Sequence, residues 1–285
     1  SSNGIGRGTA VLFARVGAKV TITGRNAATL KETKELCLQS GARDDDILEL
    51  IGDVTNETFC ERLVSATVDK FGKLDVVVNN AGGASFANFG KSIMDIPIAE
   101  FDQMIDLNVK SVLRLSQLSV PHLVKTKGAI VNVSSIGAYH KLNPMAFYAA
   151  AKSALDQVTI QMAGSLIKQG IRVNSVNPGP VLTNAVVTAG VTKEQQDKMF
   201  EGIASSPIIP LGRIGTPEDI GKETKQLCLK AGAKQEDILE LIGDITDESF
   251  LEKLVSSTVQ MFGKLDVLIN NVGGAAFANF GKAIL

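Results

Sequence analysis

Tryptophan is absent from this 285-residue chain, and Tyr and Cys are scarce, with two and three copies. So few aromatic rings argue against a stacking platform for nucleic-acid bases. The cysteines, Cys37, Cys60 and Cys228, are odd in number and lack metal-ligand spacing. We therefore expect reduced thiols, no metal site and a cytoplasmic location.

Strong charge and long apolar runs are also missing. A net charge of −1 gives neither a basic field for nucleic acid nor a polybasic membrane anchor. No apolar run approaches the roughly 18 residues of a spanning helix. Partners are therefore expected to include a small-molecule substrate, with no nucleic acid and no membrane span.

Hydrophobic and charged residues, at 45% and 21%, are typical of an ordinary globular protein with room for one large α/β domain or two small ones. Strand patterns alternate with helical patterns, which predicts an α/β fold with a doubly wound, Rossmann-type parallel sheet. The predicted strands cover residues 18–23, 47–55, 74–83, 130–133 and 171–176. The predicted helices are 9–17, 27–39 capped by Asn26, one capped by Thr55 and ending at Phe71, 99–125, and one that begins near Phe147.

The stretch 128–157 places three reactive side chains together. Ser135 follows a buried strand, where open α/β sheets bind ligands. Tyr148 and Lys152 are four residues apart on the next helix and share one face. An ammonium near a phenol lowers the phenol's pKa toward the neutral range, so Tyr148 is expected to transfer a proton while Ser135 holds the substrate oxygen.

Glycines near the chain start predict a phosphate site. Gly4 and Gly6 precede an apolar helical run, and glycines at a helix start let the backbone approach a phosphate. After the next strand, Gly24 and Arg25 stand where NAD sites tend to carry an acid. A cation there suits a 2′-phosphate, which favours NADP(H), with NAD(H) as the alternative. Arg25 as a plain solvated loop residue is the competing interpretation.

Three features occur in order: SSNGIG at residues 1–6, NNAG at residues 79–82, and the set Asn108, Ser135, Tyr148 and Lys152. In this order they resemble the motifs of the short-chain dehydrogenase/reductase family, and the resemblance covers residues 1–221. That resemblance implies a catalytic set of Asn108, Ser135, Tyr148 and Lys152, in which Asn108 supports a water linked to Lys152. It implies cofactor contacts from Ser2, Asn3, Gly4, Ile5, Gly6, Arg25, Asp53, Val54, Asn80, Ala81, Gly82, Tyr148, Lys152, Pro178, Gly179, Val181 and Thr183. No metal is implied.

A partial repeat departs from the family pattern. Residues 222–285 repeat residues 31–94 with 44 of 64 aligned positions identical. The copy has Asp244 and Asn270 but no glycine loop and no Tyr-Lys pair. We therefore expect two parts, a cofactor and catalytic body at 1–221 and a partial repeat at 222–285. We also expect the family's first strand and usual C-terminal strand to be absent, and a homo-oligomer if the sheet is complete.

Three functions from different classes follow. The first is an NADP(H)-dependent oxidoreductase that interconverts a carbonyl and a secondary alcohol. Its substrate is expected to be small and lipophilic, because residues 184–215 resemble an apolar lid. The second is a non-catalytic relative or a defective fusion of two tandem copies, acting at most as an oligomer partner. The third is a hydrolase using Ser135 with His140, which the missing GxSxG elbow disfavours.

Overall fold

Parallel strands alternate with helices along residues 1–177. The computed structural model describes residues 1–2, 4–15, 17–85, 87–88, 91–141, 145–179 and 194. The described residues up to Asn177 belong to one compact unit, whereas Pro178 and Gly179 belong to a second. The elements run α1 Gly4–Arg15, β1 Val20–Gly24, α2 Ala27–Gln39, β2 Ile47–Ile51, α3 Glu57–Phe71, β3 Val76–Asn79, α4 Ile98–Ile105, α5 Ser111–Thr126, β4 Ala129–Val133, α6 Ala146–Leu166 and β5 Arg172–Val176.

The strands form two parallel sheets. In the first, β1 pairs with β2, with Val20 opposite Ile47. In the second, β4 lies between β3 and β5, with Val76 opposite Ala129 and Ala129 opposite Arg172. In the 3-2-1-4-5-6 strand order of this fold class, the first strand lies between the two strands that are labelled β1 and β3 here. Within the described ranges, no strand occupies that place. The parallel α/β fold is confirmed, and the absence of the first and C-terminal strands stays a prediction.

Helix starts follow local side-chain chemistry, with one correction. Asn26 caps α2 as expected, because its side chain accepts a hydrogen bond from the Thr29 amide. The cap of α3 is Asn56, which accepts from Phe59, so the assignment of this role to Thr55 was wrong. The Thr55 amide and hydroxyl instead donate to the Asp53 carboxylate at 2.9 and 2.8 Å. Thr55 therefore belongs to a turn closed on Asp53, one residue before the cap.

The single helix predicted over 99–125 is interrupted where Asn108 lies. A π-helical turn, Asp106–Lys110, separates α4 from α5. Asn108 is 0% exposed, and its side-chain amide donates to the Met104 carbonyl at 3.0 Å and the Gly83 carbonyl at 3.1 Å. Single π turns inside helices often lie at functional sites. This turn directs a polar side chain inward toward the loop after β3.

Apolar packing holds each sheet against its helices. One cluster joins α1 and α2 to the first sheet, and its buried members are Ala10, Ala14, Ile22, Leu30, Cys37 and Ile47. A second joins α5 and α6 to the other sheet through residues including Leu123, Ile130 and Val173. Within the second sheet, Asn132 accepts from Asn79 at 2.9 Å and donates to Thr159 at 2.8 Å, so the buried amides are hydrogen-bonded.

Some sequence-based predictions fall outside the described residues. These concern Asn3, Val181, Thr183, the lid expected at 184–215, and the repeat at 222–285. Among the helices that the structure describes, none is both long and apolar enough to span a membrane.

Candidate active site

Adjacent strand ends bring the candidate catalytic residues to one edge of the second sheet. β4 ends at Val133 and is followed by Ser134 and Ser135, while β3 ends at Asn79. These strands are parallel neighbours, so their carboxyl ends meet on the same side. The Ser135 hydroxyl accepts from the Gly137 amide at 3.0 Å, which caps a short 3-10 turn and fixes the serine.

Tyr148 and Lys152 lie one helical turn apart on α6, as the sequence spacing predicts. The Ser135 side chain is close enough to the Tyr148 phenol to influence the pKa of that phenol. The Lys152 ammonium lies 5.7 Å from the centroid of the Tyr148 ring. A hydroxyl, a phenol and an ammonium therefore meet at one place, as the sequence predicts.

Lys152 is unusual because its ammonium is buried. The residue is 4% exposed, and Nζ donates to the Val133 carbonyl at 2.8 Å. Burial lowers the pKa of Lys152 to about 8, and the negative charge of Asp156 acts against that decrease. Lys152 can therefore change its protonation state within the range where most enzymes work.

The pKa of Tyr148 differs from the expectation for a base near neutrality. Burial raises the pKa of this phenol above its ordinary value, and the nearby Ser135 side chain acts in the opposite direction. Burial of Tyr148 therefore favours the protonated phenol. That is the form required of a proton donor to a carbonyl oxygen.

Asn108 is joined to the loop after β3. Its Oδ1 accepts from the Gly83 amide at 3.1 Å, and its amide group returns a bond of the same length to the Gly83 carbonyl. Gly82 passes so close that a Cβ there would lie 2.8 Å from Asn108 Oδ1 and 3.2 Å from Lys152 Nζ. Only glycine fits without displacing these groups, so the loop, Asn108 and Lys152 form one packed unit.

Residues that could hold a dinucleotide surround the start of α1. A Cβ on Gly6 would lie 2.5 Å from Asn80 Nδ2, so the first turn of α1 packs tightly against the loop after β3. Gly4 and Ile5 begin that turn, and Ser2 precedes it. The Arg7 guanidinium binds the Ser2 carbonyl at 2.9 Å and the Glu32 carboxylate at 2.7 Å. Sequence reasoning missed Arg7, which ties the glycine segment to α2.

A second group of candidate cofactor residues lies after β1 and β2. Arg25 Nη1 is 3.7 Å from Asp53 Oδ2, and the Arg25 side chain is 77% exposed. Partial burial pushes the pKa of Asp53 upward, but hydrogen bonds from Thr55 and the charge of Arg25 hold it below its ordinary value. Val54 follows Asp53, and its carbonyl accepts a bond from the Cys60 thiol.

Other predicted site residues are placed less fully. Ala81 and Gly82 are exposed after β3, and Pro178 and Gly179 follow β5 in the chain. His140 does not supply the Ser135 hydroxyl with a partner in the described residues, where this hydroxyl accepts from the Gly137 amide. Nor do those residues include three or more His, Cys, Asp or Glu grouped to hold a metal ion.

Sequence reasoning also missed a polar group beside Lys152. Asp156 is 7% exposed, and its Oδ2 accepts from the Asn177 amide at 2.6 Å. Burial and the nearby Asp156 carboxylate together raise the pKa of Tyr139 to about 12. A signal was present, because Asp156 is four residues after Lys152 and therefore shares its helix face.

Comparisons with known proteins found both matching family models and similar solved structures. A family model described as enoyl-(acyl carrier protein) reductase matches residues 1–233, and a model described as short chain dehydrogenase matches residues 218–283. A short-chain dehydrogenase/reductase from Caenorhabditis elegans, solved with cofactor, is 44% identical with a TM-score of 0.71, over 77% of this chain and 82% of that one.

Two further solved structures are similar. The apo glucose dehydrogenase of Caenorhabditis elegans is 41% identical with a TM-score of 0.61, over 79% of this chain and 84% of that one. A 7α-hydroxysteroid dehydrogenase complexed with NADH and 7-oxo glycochenodeoxycholic acid is 33% identical with a TM-score of 0.64, over 80% of this chain and 84% of that one.

The sequence motifs, the parallel α/β fold and these matches define an oxidoreductase of the carbonyl and alcohol class. The chain belongs to the short-chain dehydrogenase/reductase family and is an enzyme of the short-chain dehydrogenase type.

Proposed function

We propose that this enzyme is an NADP(H)-dependent oxidoreductase that interconverts a carbonyl and a secondary alcohol on a small lipophilic substrate. The observation that carries the proposal is that the Tyr148 phenol lies beside both the Ser135 side chain and the buried Lys152 ammonium. These groups match the needs of proton transfer to and from a carbonyl oxygen.

Each side chain has a proposed role in reduction. The Ser135 hydroxyl donates to the substrate oxygen and holds it beside Tyr148. Tyr148 then gives its phenolic proton to that oxygen, and the Lys152 ammonium stabilises the phenolate that results. Asn108 keeps the loop at Gly82 and Gly83 in place beside Lys152. In alcohol oxidation the same proton moves in reverse.

The described residues fit a nicotinamide dinucleotide. Gly6 lets the Asn80 side chain pack against the first turn of α1, where a Cβ would collide with it. Glycine at a helix start also allows the backbone to approach a phosphate. Asp53 is positioned by Thr55, which suits a fixed contact to a nucleoside. When bound, the nicotinamide supplies the hydride for reduction and accepts it in oxidation.

The preference for NADP(H) rests on Gly24 and Arg25. No acidic side chain occupies the position directly after β1, and the exposed Arg25 cation lies beside Asp53. A 2′-phosphate would compete with Asp53 for this guanidinium. NAD(H) is the alternative, and the hydroxysteroid relative was solved with NADH.

A lipophilic ketone is the proposed substrate class. The support is the apolar composition of residues 184–215 and the oxo bile acid bound to the hydroxysteroid relative. The similarity to a glucose dehydrogenase makes a polar sugar the competing class. A location in the cytoplasm, with a homo-oligomer as the working form, completes the proposal.

A cofactor titration followed by a substrate panel tests these points. NADPH fluorescence should rise on binding at lower concentration than NADH fluorescence. Absorbance at the nicotinamide band should then report turnover with oxo steroids and medium-chain ketones, and none with glucose. Equal binding of the two cofactors would overturn the NADP(H) preference. Turnover of glucose alone would overturn the lipophilic substrate, and binding without turnover of any carbonyl or alcohol would overturn the reaction.

A further inference from the structure

A hydrogen-bonded group beneath the candidate active site joins three separate elements. The Asn177 amide, just after β5, donates to Asp156 Oδ2 at 2.6 Å and to the Ser135 carbonyl at 3.3 Å. The Ser175 hydroxyl fixes this amide by donating to its oxygen at 3.1 Å. Asp156 on α6 therefore holds the side chain that contacts the backbone of Ser135.

The charge on Asp156 lies where few other charges act. Among the residues that the structure describes, the titratable groups that face its carboxylate are Lys152 on its own helix and Tyr139 from the turn after β4, while β5 leads to the neutral Asn177. Burying a carboxylate is unfavourable unless hydrogen bonds and an opposite charge compensate. Here Oδ2 has a strong donor, whereas Oδ1 is buried without a hydrogen-bond partner among the described residues.

We propose that Asp156 is a positioning residue for the reaction at Tyr148. Its carboxylate orients Asn177 under Ser135 and keeps negative charge one helical turn from the Lys152 ammonium. This inference rests on the proposed function for its catalytic consequence, but its structural consequence does not need turnover.

The physical consequence is a change in the protonation of Lys152. Burial already lowers the pKa of this ammonium, and Asp156 acts in the opposite direction. Replacing the carboxylate by an amide of the same shape removes that support. Lys152 should then lose its proton at lower pH, and the phenolate of Tyr148 loses its nearest cation over a wider pH range.

The first test measures Lys152 directly. Carbon-13 at the lysine Cε reports the protonation of Nζ, and Lys152→Arg identifies the resonance. In Asp156→Asn the midpoint of the titration should fall by about 0.5 to 1 pH unit. Asp69→Asn, which changes an exposed aspartate on α3, is the matched control and should leave it unmoved. An unchanged midpoint in a folded Asp156→Asn protein would overturn the electrostatic role.

The second test measures catalysis. In Asp156→Asn, kcat should fall about tenfold, because the bond from Asn177 loses its charged acceptor and Ser135 is held less firmly. The rising limb of the pH profile of alcohol oxidation should move to higher pH. Tyr139→Phe removes a neighbouring hydroxyl and keeps the charge of Asp156, so it should leave that limb in place. If Asp156→Asn lowers the melting temperature but leaves the rising limb of the pH profile in place, Asp156 has only a structural role. Absence of turnover in the parent enzyme would instead refute the proposed function, and the lysine titration would still decide the role of Asp156.

Discussion

Replacing Lys152 by Met should stabilise the free enzyme at neutral pH while abolishing its activity. The ammonium is almost fully buried, and burial lowers the pKa of Lys152 from 10.5 to about 8. The folded protein therefore binds this proton less tightly than the unfolded chain does. The wild-type protein carries a cost for the buried charge, and methionine removes the charge with little change in length.

The size of the effect follows from the shift. Each pKa unit corresponds to about 1.4 kcal/mol, so the cost is about 3 kcal/mol at pH 7. The variant also leaves the Val133 carbonyl without its donor at 2.8 Å, which costs about 1 to 2 kcal/mol. The net gain in unfolding free energy is therefore about 1 to 2 kcal/mol at pH 7.

Raising the pH should remove this gain. Between the folded pKa of about 8 and the unfolded value of 10.5, wild-type Lys152 loses its proton and its burial cost disappears. The advantage of the variant should fall by about 2 kcal/mol between pH 7 and pH 9.5. Tyr148 does not interfere in this window, because its folded pKa lies above its ordinary value and the phenol stays protonated in both states.

Urea unfolding at pH 7 and pH 9.5 measures both quantities. Lys31→Met is the matched control, because the Lys31 side chain is 74% exposed and its weak pair with Glu35 has a distance of 3.9 Å. Its effect should stay below about 0.5 kcal/mol at both pH values. A Lys152→Met protein that is less stable than the parent at pH 7, or a gain that does not depend on pH, would refute the buried-ammonium reasoning.

Three further changes have defined outcomes. Arg25→Asp should lower the ratio of kcat/KM for NADPH over NADH about tenfold or more, because it reverses the charge at the proposed 2′-phosphate site; an unchanged ratio would show that Arg25 faces solvent. Gly82→Ala should lower kcat at least about tenfold, because its Cβ would displace Asn108 and Lys152. An unchanged kcat in this variant would show that the loop can move to make room for the Cβ. Deleting residues 222–285, which contain no Tyr-Lys pair, should leave cofactor affinity unchanged; unfolding on deletion would show that the repeat is part of the sheet.

Local patterns were sufficient to predict most of the elements. Alternating β-branched residues predicted β4, and the Asn26 cap predicted the start of α2, because both depend on neighbours in the chain. Choosing Thr55 as the cap of α3 failed because the helix begins one residue later, with the Asn56 side chain accepting from the Phe59 amide. Thr and Asn are both favourable capping residues, so their adjacent positions in the sequence do not decide which one caps the helix.

The site was predictable where spacing alone decides geometry. Tyr148 and Lys152 share a face because they are four residues apart on a helix. The π turn at Asn108 was not predictable, because it depends on hydrogen bonds to Gly83, which lies 25 residues earlier in the chain. The hydrogen bond that Asn177 donates to Asp156 likewise joins elements that are distant in sequence. Long-range contacts of this kind require the folded arrangement.

The most direct test of the central claim is the kcat of Tyr148→Phe, measured with cofactor binding to the same protein. Phenylalanine keeps the ring packed beside Lys152 and removes only the hydroxyl near Ser135. We expect kcat to be lower by about 10²- to 10⁴-fold, with a cofactor Kd within about twofold of the parent. Activity above about a hundredth of the parent would contradict the assignment of Tyr148 as the proton donor.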